Sequence, residues 1–297
     1  MFVYTLQRIT RPSCRRQSGQ NDMKKALAVL LLLLATMTEA NDCPAKIRVQ
    51  LDLAAPASYL DEKGQLTGMD VEMAQAILVE AGCQIEWITE PMSIERALRL
   101  LREGGIDALT RMSFRAERTR YAYFSDAYRQ EVIGLFALKD TPLPEFETLA
   151  EAFEKKLRLI GPAAGFFGEE YQALREPWLA SGRMTAYNSA TNAARLLFTK
   201  PRRGDMILID ADVFHHFISA AEREQVISAG DWLRIAPVHI MFSQQSVSAA
   251  LVERVNAVIR QRLQRGALAE IERRYRPASL MQNIERSQAV ATPIRLP

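Results

Sequence analysis

The chain has 297 residues, of which 48% are hydrophobic, so it is long enough to build two lobes or one large domain. Residues 1–40 hold six of the 38 basic residues and two of the 35 acidic ones. The rest of the chain therefore has 32 basic and 33 acidic residues, a formal charge of −1. This balance gives no support to a nucleic-acid-binding or membrane-surface role.

The first 40 residues have the pattern of a secretory signal peptide. Met23-Lys24-Lys25 is a basic start, Ala26–Ala35 is an apolar run of ten residues, and Ala40 is a small residue before the expected cut. Ten residues are too few to span a bilayer. We predict translation from Met23, cleavage near Ala40 and a soluble periplasmic protein. An uncleaved N-terminal anchor is the alternative.

From Lys46 onward, short apolar runs alternate with amphipathic helices, a pattern typical of α/β proteins. A first helix has an apolar face between Val71 and Ala81. A second helix begins after Ser93, a favoured N-cap residue, and ends at Gly104-Gly105. A strand at Ile106–Leu109 follows directly. This βαβαβ order places ligands at the carboxyl ends of parallel strands.

The second half of the chain continues in the same style. The pattern predicts, in order, a strand at Glu131–Leu138, a turn-rich connection at 139–144, a strand at Leu157–Ile160, a helix at Thr191–Phe198, a strand at Met206–Ile209, a helix at Ala211–Phe217, a return strand at Leu233–Phe242 and a long helix from Leu251 to Leu263. Residues 279–297 have no periodicity, and we predict a flexible C-terminal tail there.

The segment Asp107–Tyr128 is the most informative part of the sequence. Its apolar strand runs into a polar turn, and Arg118 opens a helical turn five residues after Ser113. A guanidinium at such a strand end can grip a carboxylate with two parallel hydrogen bonds. An exposed arginine in an ordinary loop is the alternative, and the local sequence by itself favours it.

Four blocks, in order, resemble the bacterial extracellular solute-binding proteins of family 3, the polar amino-acid receptors of ABC importers. The blocks are Gly64–Ala74, Ser113–Arg118 with Phe124–Tyr128, Gly204–Asp212, and the last helices through Tyr275. The resemblance covers roughly residues 46–277. It implies an α/β, two-lobed periplasmic-binding-protein (type II) clamshell. Each lobe has a mainly parallel sheet flanked by helices, and two hinge strands cross between the lobes.

The resemblance also implies how the chain divides. Lobe 1 would comprise residues 41–133 plus 239–278, and lobe 2 residues 134–238. In the family's topology the strands after Cys43 and Cys83 are adjacent and parallel, which puts both cysteines at one end of the sheet. An oxidising compartment then favours a disulfide between them. Two separate thiols are the alternative.

Ligand-binding roles follow from the resemblance residue by residue. Arg118 corresponds to the clamp for a ligand carboxylate, and Ser113 to a hydroxyl and backbone donor. Thr110 and Arg111 occupy the family's small-residue run before that serine. Asp210 corresponds to the acid that holds an α-ammonium group. Its alternative role is to cap the helix that follows it.

Three departures from the family affect the expected ligand. The turn Ala54–Tyr59 has alanines where the family has pocket aromatics. The second-lobe turn is Gly165-Phe166-Phe167, in which the backbone N–H of Phe167 can still donate to a carboxylate. Arg111 stands where the family usually has a small residue, and Arg115 where it has a threonine. If both face the cleft, the ligand carries extra negative charge; the alternative is that both point to solvent.

We therefore expect a monomeric binding protein that delivers a small amino acid or related carboxylate to an ABC permease in the inner membrane. We expect no catalytic residues, no nucleic-acid partner, no cofactor and no metal, since His215 and His216 point in different directions on one helix. The alternatives are a dehydratase-like enzyme that uses the same cleft, and a soluble ligand-sensing partner of a membrane receptor.

Overall fold

The computed structural model describes Cys43, residues 46–278 and residues 280–282, without the side chains of Thr191 and residues 231–233. The predicted start at Met23, the signal peptide and the cleavage near Ala40 lie outside the described residues. No helix among the described residues is both long and apolar enough to cross a membrane.

The first half of the chain builds a sheet with helices against it. Its elements are β1 (Ile47–Gln50), β2 (Tyr59–Leu60), β3 (Leu66–Thr67), α1 (Met69–Glu80), β4 (Ile85–Ile88), α2 (Ile94–Glu103), β5 (Ala108–Met112), a 3-10 helix (Ala116–Arg120), β6 (Ala122–Phe124) and β7 (Arg129–Leu138). Strand β1 pairs in parallel with both β4 and β5. The predicted βαβαβ order is therefore confirmed.

Local sequence explains how α1 and α2 begin and end. Gly68 precedes α1 with φ +129, and a Cβ there would lie 2.4 Å from the Ala57 carbonyl oxygen, so only glycine fits. The Ser93 hydroxyl accepts a hydrogen bond from the Arg96 N–H at the start of α2. Gly104 ends α2 in the left-handed conformation, with φ +74.

The second half builds another sheet and then returns to the first. Its elements are α3 (Leu149–Glu154), β8 (Leu159–Pro162), α4 (Glu169–Ala180), β9 (Met184–Tyr187), α5 (Ala190–Leu196), β10 (Met206–Asp210), α6 (Ala211–Phe217), α7 (Ala220–Arg223), β11 (Val226–Ser243), α8 (Ala249–Gln264) and α9 (Ala267–Tyr275). Strands β10, β8 and β9 are parallel neighbours. Every residue of β10 is buried, as expected for a strand covered on both faces.

Two antiparallel strands, β7 and β11, connect the sheets. Strand β7 pairs with β10, and residues 226–238 of β11 pair with β7. The C-terminal part of β11 pairs instead with β5 and β6. These are the predicted crossing strands, and the two-lobed α/β fold is confirmed. The predicted division at residues 133/134 and 238/239 stays a prediction.

The C-terminal helices pack against the first lobe. Leu251, Val255, Ile259 and Leu268 are buried in the same core as Ile47 of β1. The resemblance implied this return.

The chain then crosses again, because Leu280 is buried in the core of the second lobe. The predicted flexible tail from residue 279 is therefore wrong at Leu280. A single leucine carries no periodicity, so the pattern gave no signal of this contact. Residues 283–297 lie outside the described residues.

Cys43 and Cys83 are joined by a disulfide, with their Cα atoms 5.6 Å apart. The pairing of Ile47 with Ile85 places both cysteines at the same end of parallel neighbours β1 and β4. The disulfide therefore closes a loop between residues 40 positions apart.

We predict that Cys83→Ser lowers the free energy of unfolding by about 4 kcal/mol, because a loop of this length is freed in the unfolded chain. Urea denaturation with and without reductant measures it. The double variant Cys43→Ser/Cys83→Ser is the control and should lose no more than the single variant. An oxidised wild-type protein whose unfolding is insensitive to reductant would contradict the prediction.

Candidate functional site

Polar side chains from both lobes meet where β5 and β10 end beside the crossing strands β7 and β11. Arg111 Nη2 of β5 lies 3.3 Å from Asp210 Oδ2 of β10. The Ser113 hydroxyl donates to Glu131 Oε1 of β7 at 3.3 Å. Arg234 Nη1 of β11 lies 3.8 Å from the same Glu131 oxygen. The structure therefore brings the predicted residues Arg111, Ser113 and Asp210 together.

The backbone of Arg111 is held in an uncommon conformation. Its φ is +57, the left-handed region that non-glycine residues rarely adopt. The Arg111 N–H donates to the Tyr128 hydroxyl at 3.2 Å, and that hydroxyl donates to Asp70 Oδ1. The side chain then lies between two acids, with Nε 3.9 Å from Asp70 Oδ2. Burial alone would lower the pKa of Arg111, but Asp210 and Asp70 outweigh it and raise the pKa.

Arg111 lies next to a buried ion pair between Arg129 and Asp70. Arg129 donates through Nε and Nη2 to the two oxygens of Asp70, each at 2.7 Å, and Asp70 is fully buried. Burial alone would raise the pKa of Asp70, yet the charge and hydrogen bonds of Arg129 lower it. The sequence analysis missed both residues. The only signal was the position of Asp70 inside the first resembling block.

Both carboxylate oxygens of Asp210 are engaged. Oδ1 accepts the Asp212 N–H at 2.8 Å and the Val213 N–H at 3.3 Å, which caps α6. Oδ2 faces Arg111. Burial and the neighbouring Asp212 raise the pKa of Asp210, and Arg111 offsets part of that rise. The capping alternative is thus present in the structure, and the α-ammonium role stays a prediction.

Glu131 is a further residue of this site that was not predicted from the sequence. It is 7% exposed on β7. Burial and the nearby Asp210 raise its pKa from 4.5 to about 7, although Arg111, Arg129 and Arg234 act in the opposite direction. A single acid inside the apolar run Glu131–Leu138 was the available signal.

Arg115, Phe166 and Phe167 lie at the outer side of the site. The Arg115 guanidinium stacks 4.5 Å from the ring centroid of Phe166, and Arg234 lies 5.5 Å from the same ring. Arg115 also pairs with Glu117 at 2.7 Å and with Glu169 at 3.7 Å, so it contacts the second lobe.

Phe167 is half-buried, with its ring centroid 6.1 Å from that of Tyr171. The predicted donation from its backbone N–H stays a prediction.

Arg118 and Thr110 are placed differently from Arg111. Arg118 lies in the middle of the 3-10 helix Ala116–Arg120, so the prediction that it opens a helical turn is wrong by two residues. It is half-buried, and burial lowers its pKa while Tyr121 and Glu117 partly offset this. Within the described residues, its guanidinium makes no hydrogen bond or ion pair. The ligand-binding roles of Arg118 and of half-buried Thr110 stay predictions.

The histidines do not cluster with other described side chains that could bind a metal ion. No group of three His, Cys, Asp or Glu side chains suited to a metal ion occurs among the described residues. His215 packs 5.7 Å from the ring of Phe136, and His239 Nδ1 is 2.7 Å from the Ser125 carbonyl oxygen.

Residues 47–278 match the family model of the bacterial extracellular solute-binding proteins, family 3. The chain belongs to this family. It is also similar to an arginine-binding periplasmic protein from Mannheimia haemolytica, with 27% identity over 128 residues. That alignment covers 43% of this chain and about half, 52%, of the relative's length.

Solved structures support the fold at lower identity. A histidine kinase sensor domain with similarity to periplasmic binding proteins has a TM-score of 0.63 and 16% identity, covering 79% of this chain and 97% of that one. An ancestral amino acid-binding protein described as a precursor of cyclohexadienyl dehydratase has a TM-score of 0.62 and 20% identity, covering 78% and 95%. Both are fold relatives.

We predict that Asp70→Asn lowers the free energy of unfolding by about 3–5 kcal/mol, because Arg129 would stay buried without its counter-charge. Chemical denaturation measures the loss. Asp140→Asn is the matched control, since Asp140 pairs with Arg202 at 2.6 Å but is mostly exposed. That variant should lose about 0–1 kcal/mol. Equal losses in the two variants would contradict the special role of the buried pair.

Glu131 should make stability depend on pH. Its folded-state pKa of about 7 lies above its ordinary 4.5, so between these values the folded protein keeps a proton that the unfolded chain releases. This contribution is complete below pH 4.5 and is lost as the pH rises through 7, a total of about 3 kcal/mol. Unfolding free energies from pH 4.5 to 8 should show that decline in the wild type and not in Glu131→Gln. Identical profiles would contradict it.

Proposed function

We propose that the protein is a periplasmic solute-binding component of an ABC importer that holds a small carboxylate solute between its lobes. The convergence of polar groups supports this proposal. Arg111 comes from β5 and Ser113 directly follows it, Asp210 comes from β10, and Glu131 and Arg234 come from the crossing strands. A solute that touches all three parts stabilises the closed arrangement of the lobes, because it interacts with both lobes only when they are together.

Contacts across the cleft support closure of the lobes as the functional motion. Arg115 stacks on Phe166, and the ring of Tyr59 lies 6.0 Å from that of His216 on α6. These contacts are partly exposed and individually weak, so they can separate without unfolding either lobe. The closed monomer would then be the form that a membrane permease recognises, as the family membership implies.

Two other functions share this fold. A sensing role is consistent with the sensor-domain relative. An enzymatic role has one observation in its favour, because a buried Glu131 with a pKa of about 7 suits a general acid or base beside a bound carboxylate. The other acids described in the site, Asp70 and Asp210, are already held by arginines and backbone N–H groups, so we favour binding without catalysis.

Thermal unfolding against amino acids, dicarboxylates and phosphorylated metabolites tests the proposal. A solute at one hundred times its Kd adds about 2.7 kcal/mol of stability, which corresponds to a shift of roughly 5–11 °C at this size. We expect at least one solute to give such a shift, and mass spectrometry to recover it chemically unchanged.

Variants and product analysis separate the alternatives. Arg118→Ala should weaken the shift if Arg118 is the carboxylate clamp, whereas Arg99→Ala on the exposed face of α2 is the matched control. A converted solute would favour an enzyme, with Glu131→Gln expected to stop the conversion. A flat response across the whole panel would contradict the receptor proposal.

A further inference from the structure

The site has more hydrogen-bond donors than acceptors left to bind them. Asp70 already accepts from Arg129 and Tyr128, and Asp210 accepts from two backbone N–H groups and faces Arg111. Among the acids of the site, only Glu131 has an oxygen without a hydrogen bond from the described residues. With its pKa raised to about 7, this carboxyl is only partly ionised near neutral pH. A cationic group on a solute would therefore find few acceptors.

The unpaired groups are guanidinium nitrogens. Arg111 Nη1 and Arg234 Nη1 are buried and have no hydrogen-bond partner among the described residues. Arg234 Nη1 lies 3.8 Å from Glu131 Oε1, and Arg111 lies 3.3 Å from Asp210, so both arginines belong to the same group of side chains. Buried donors without hydrogen bonds are costly, so two of them in one site indicate a place that an acceptor-rich group completes.

The charges of the site also disfavour a cationic group on the solute. Arg111, Arg129 and Arg234 oppose Asp70 and Asp210, and Glu131 adds a full negative charge only above a pH of about 7. The group is positive below that pH. An ammonium entering here would face three guanidinium groups and would have to displace Arg111 from Asp210, which both burial and like-charge repulsion oppose.

We propose that the solute is a small carboxylate without an α-ammonium group, and that Arg111 determines this specificity. This inference rests on the proposed function. Arg111 supplies the positive charge that Asp210 would otherwise take from the solute. Nη1 of Arg111 and Nη1 of Arg234, which have no hydrogen-bond partner among the described residues, bind the solute's carboxylate. Because its backbone N–H is fixed by Tyr128, the guanidinium is held in position before the solute arrives.

Succinate and L-aspartate are suitable probes, because they share the carbon chain and both carboxylates and differ only in the ammonium group. Calorimetric titration of the purified protein with each should give a succinate affinity at least tenfold tighter than that for aspartate. Arg111→Gly should lower the succinate affinity at least tenfold and raise the aspartate affinity, since Asp210 is then free to accept an ammonium.

Glycine suits the φ of +57 at this position, so Arg111→Gly removes the guanidinium without backbone strain. Arg111→Asn is a second variant that also tolerates this conformation, and it should give the same reversal. Lys156→Gly is the matched control, because Lys156 is an exposed cation with φ +61 far from the site in sequence. It should leave both affinities unchanged.

The alternative outcomes are distinct. Tighter binding of aspartate by the wild type, lost in Asp210→Asn and unchanged in Arg111→Gly, would overturn this inference and leave the proposed receptor function standing. An unchanged ratio of the two affinities in both Arg111 variants would also overturn it. Absence of binding by either probe would contradict the inference, and a flat response to the wider solute panel would contradict the proposed function as well.

Discussion

The site depends on one buried ion pair, between Asp70 of α1 and Arg129 at the start of β7. Both oxygens of Asp70 accept hydrogen bonds at 2.7 Å from the Arg129 guanidinium, and both side chains are buried from solvent. Such a pair is stable only while both partners are present. Tyr128 links this ion pair to Arg111, because its hydroxyl donates to Asp70 and accepts from the Arg111 backbone N–H. The position of Arg111 therefore follows from residues that never face the cleft.

Local signals were sufficient for much of the fold. The Ser93 cap and Gly104 end of α2, and the bounds of α6 at Ala211–Phe217, are properties of short stretches of chain, and the sequence predicts them. The length of β11 is different. Its residues 226–228 include Ser228, which weakens any local strand pattern, and they belong to the strand because they pair with β7. Leu280 was missed for the same reason, because its burial depends on contacts distant in sequence.

The site was harder to predict than the fold, because its ion pairs join residues far apart in the chain. Arg111 and Asp210 are 99 positions apart, and no local pattern distinguishes Arg111 from Arg118 as the residue that meets Asp210. The family resemblance identified the correct strand end, that of β5. It did not account for Arg111, which stands where the family has a small residue. Asp70 and Glu131 were missed because a charged residue is recognised as buried only once the register of its strand or helix is known.

A buried arginine just after α9 limits how the lobes can move. Arg276 follows α9 of the first lobe, yet its buried guanidinium binds Asp212 of α6 at 2.8–3.0 Å and also donates to the Gln130 carbonyl oxygen of β7. Separating a fully buried pair is far more costly than separating the partly exposed contacts of Arg115 with Phe166 and Glu169. We therefore expect the cleft to open by rotation about the crossing strands and this pair, with the outer contacts breaking while Arg276 stays on Asp212. Because Asp212 lies two residues from Asp210, the acid that meets Arg111 is close to that axis and moves less than the outer contacts as the cleft opens.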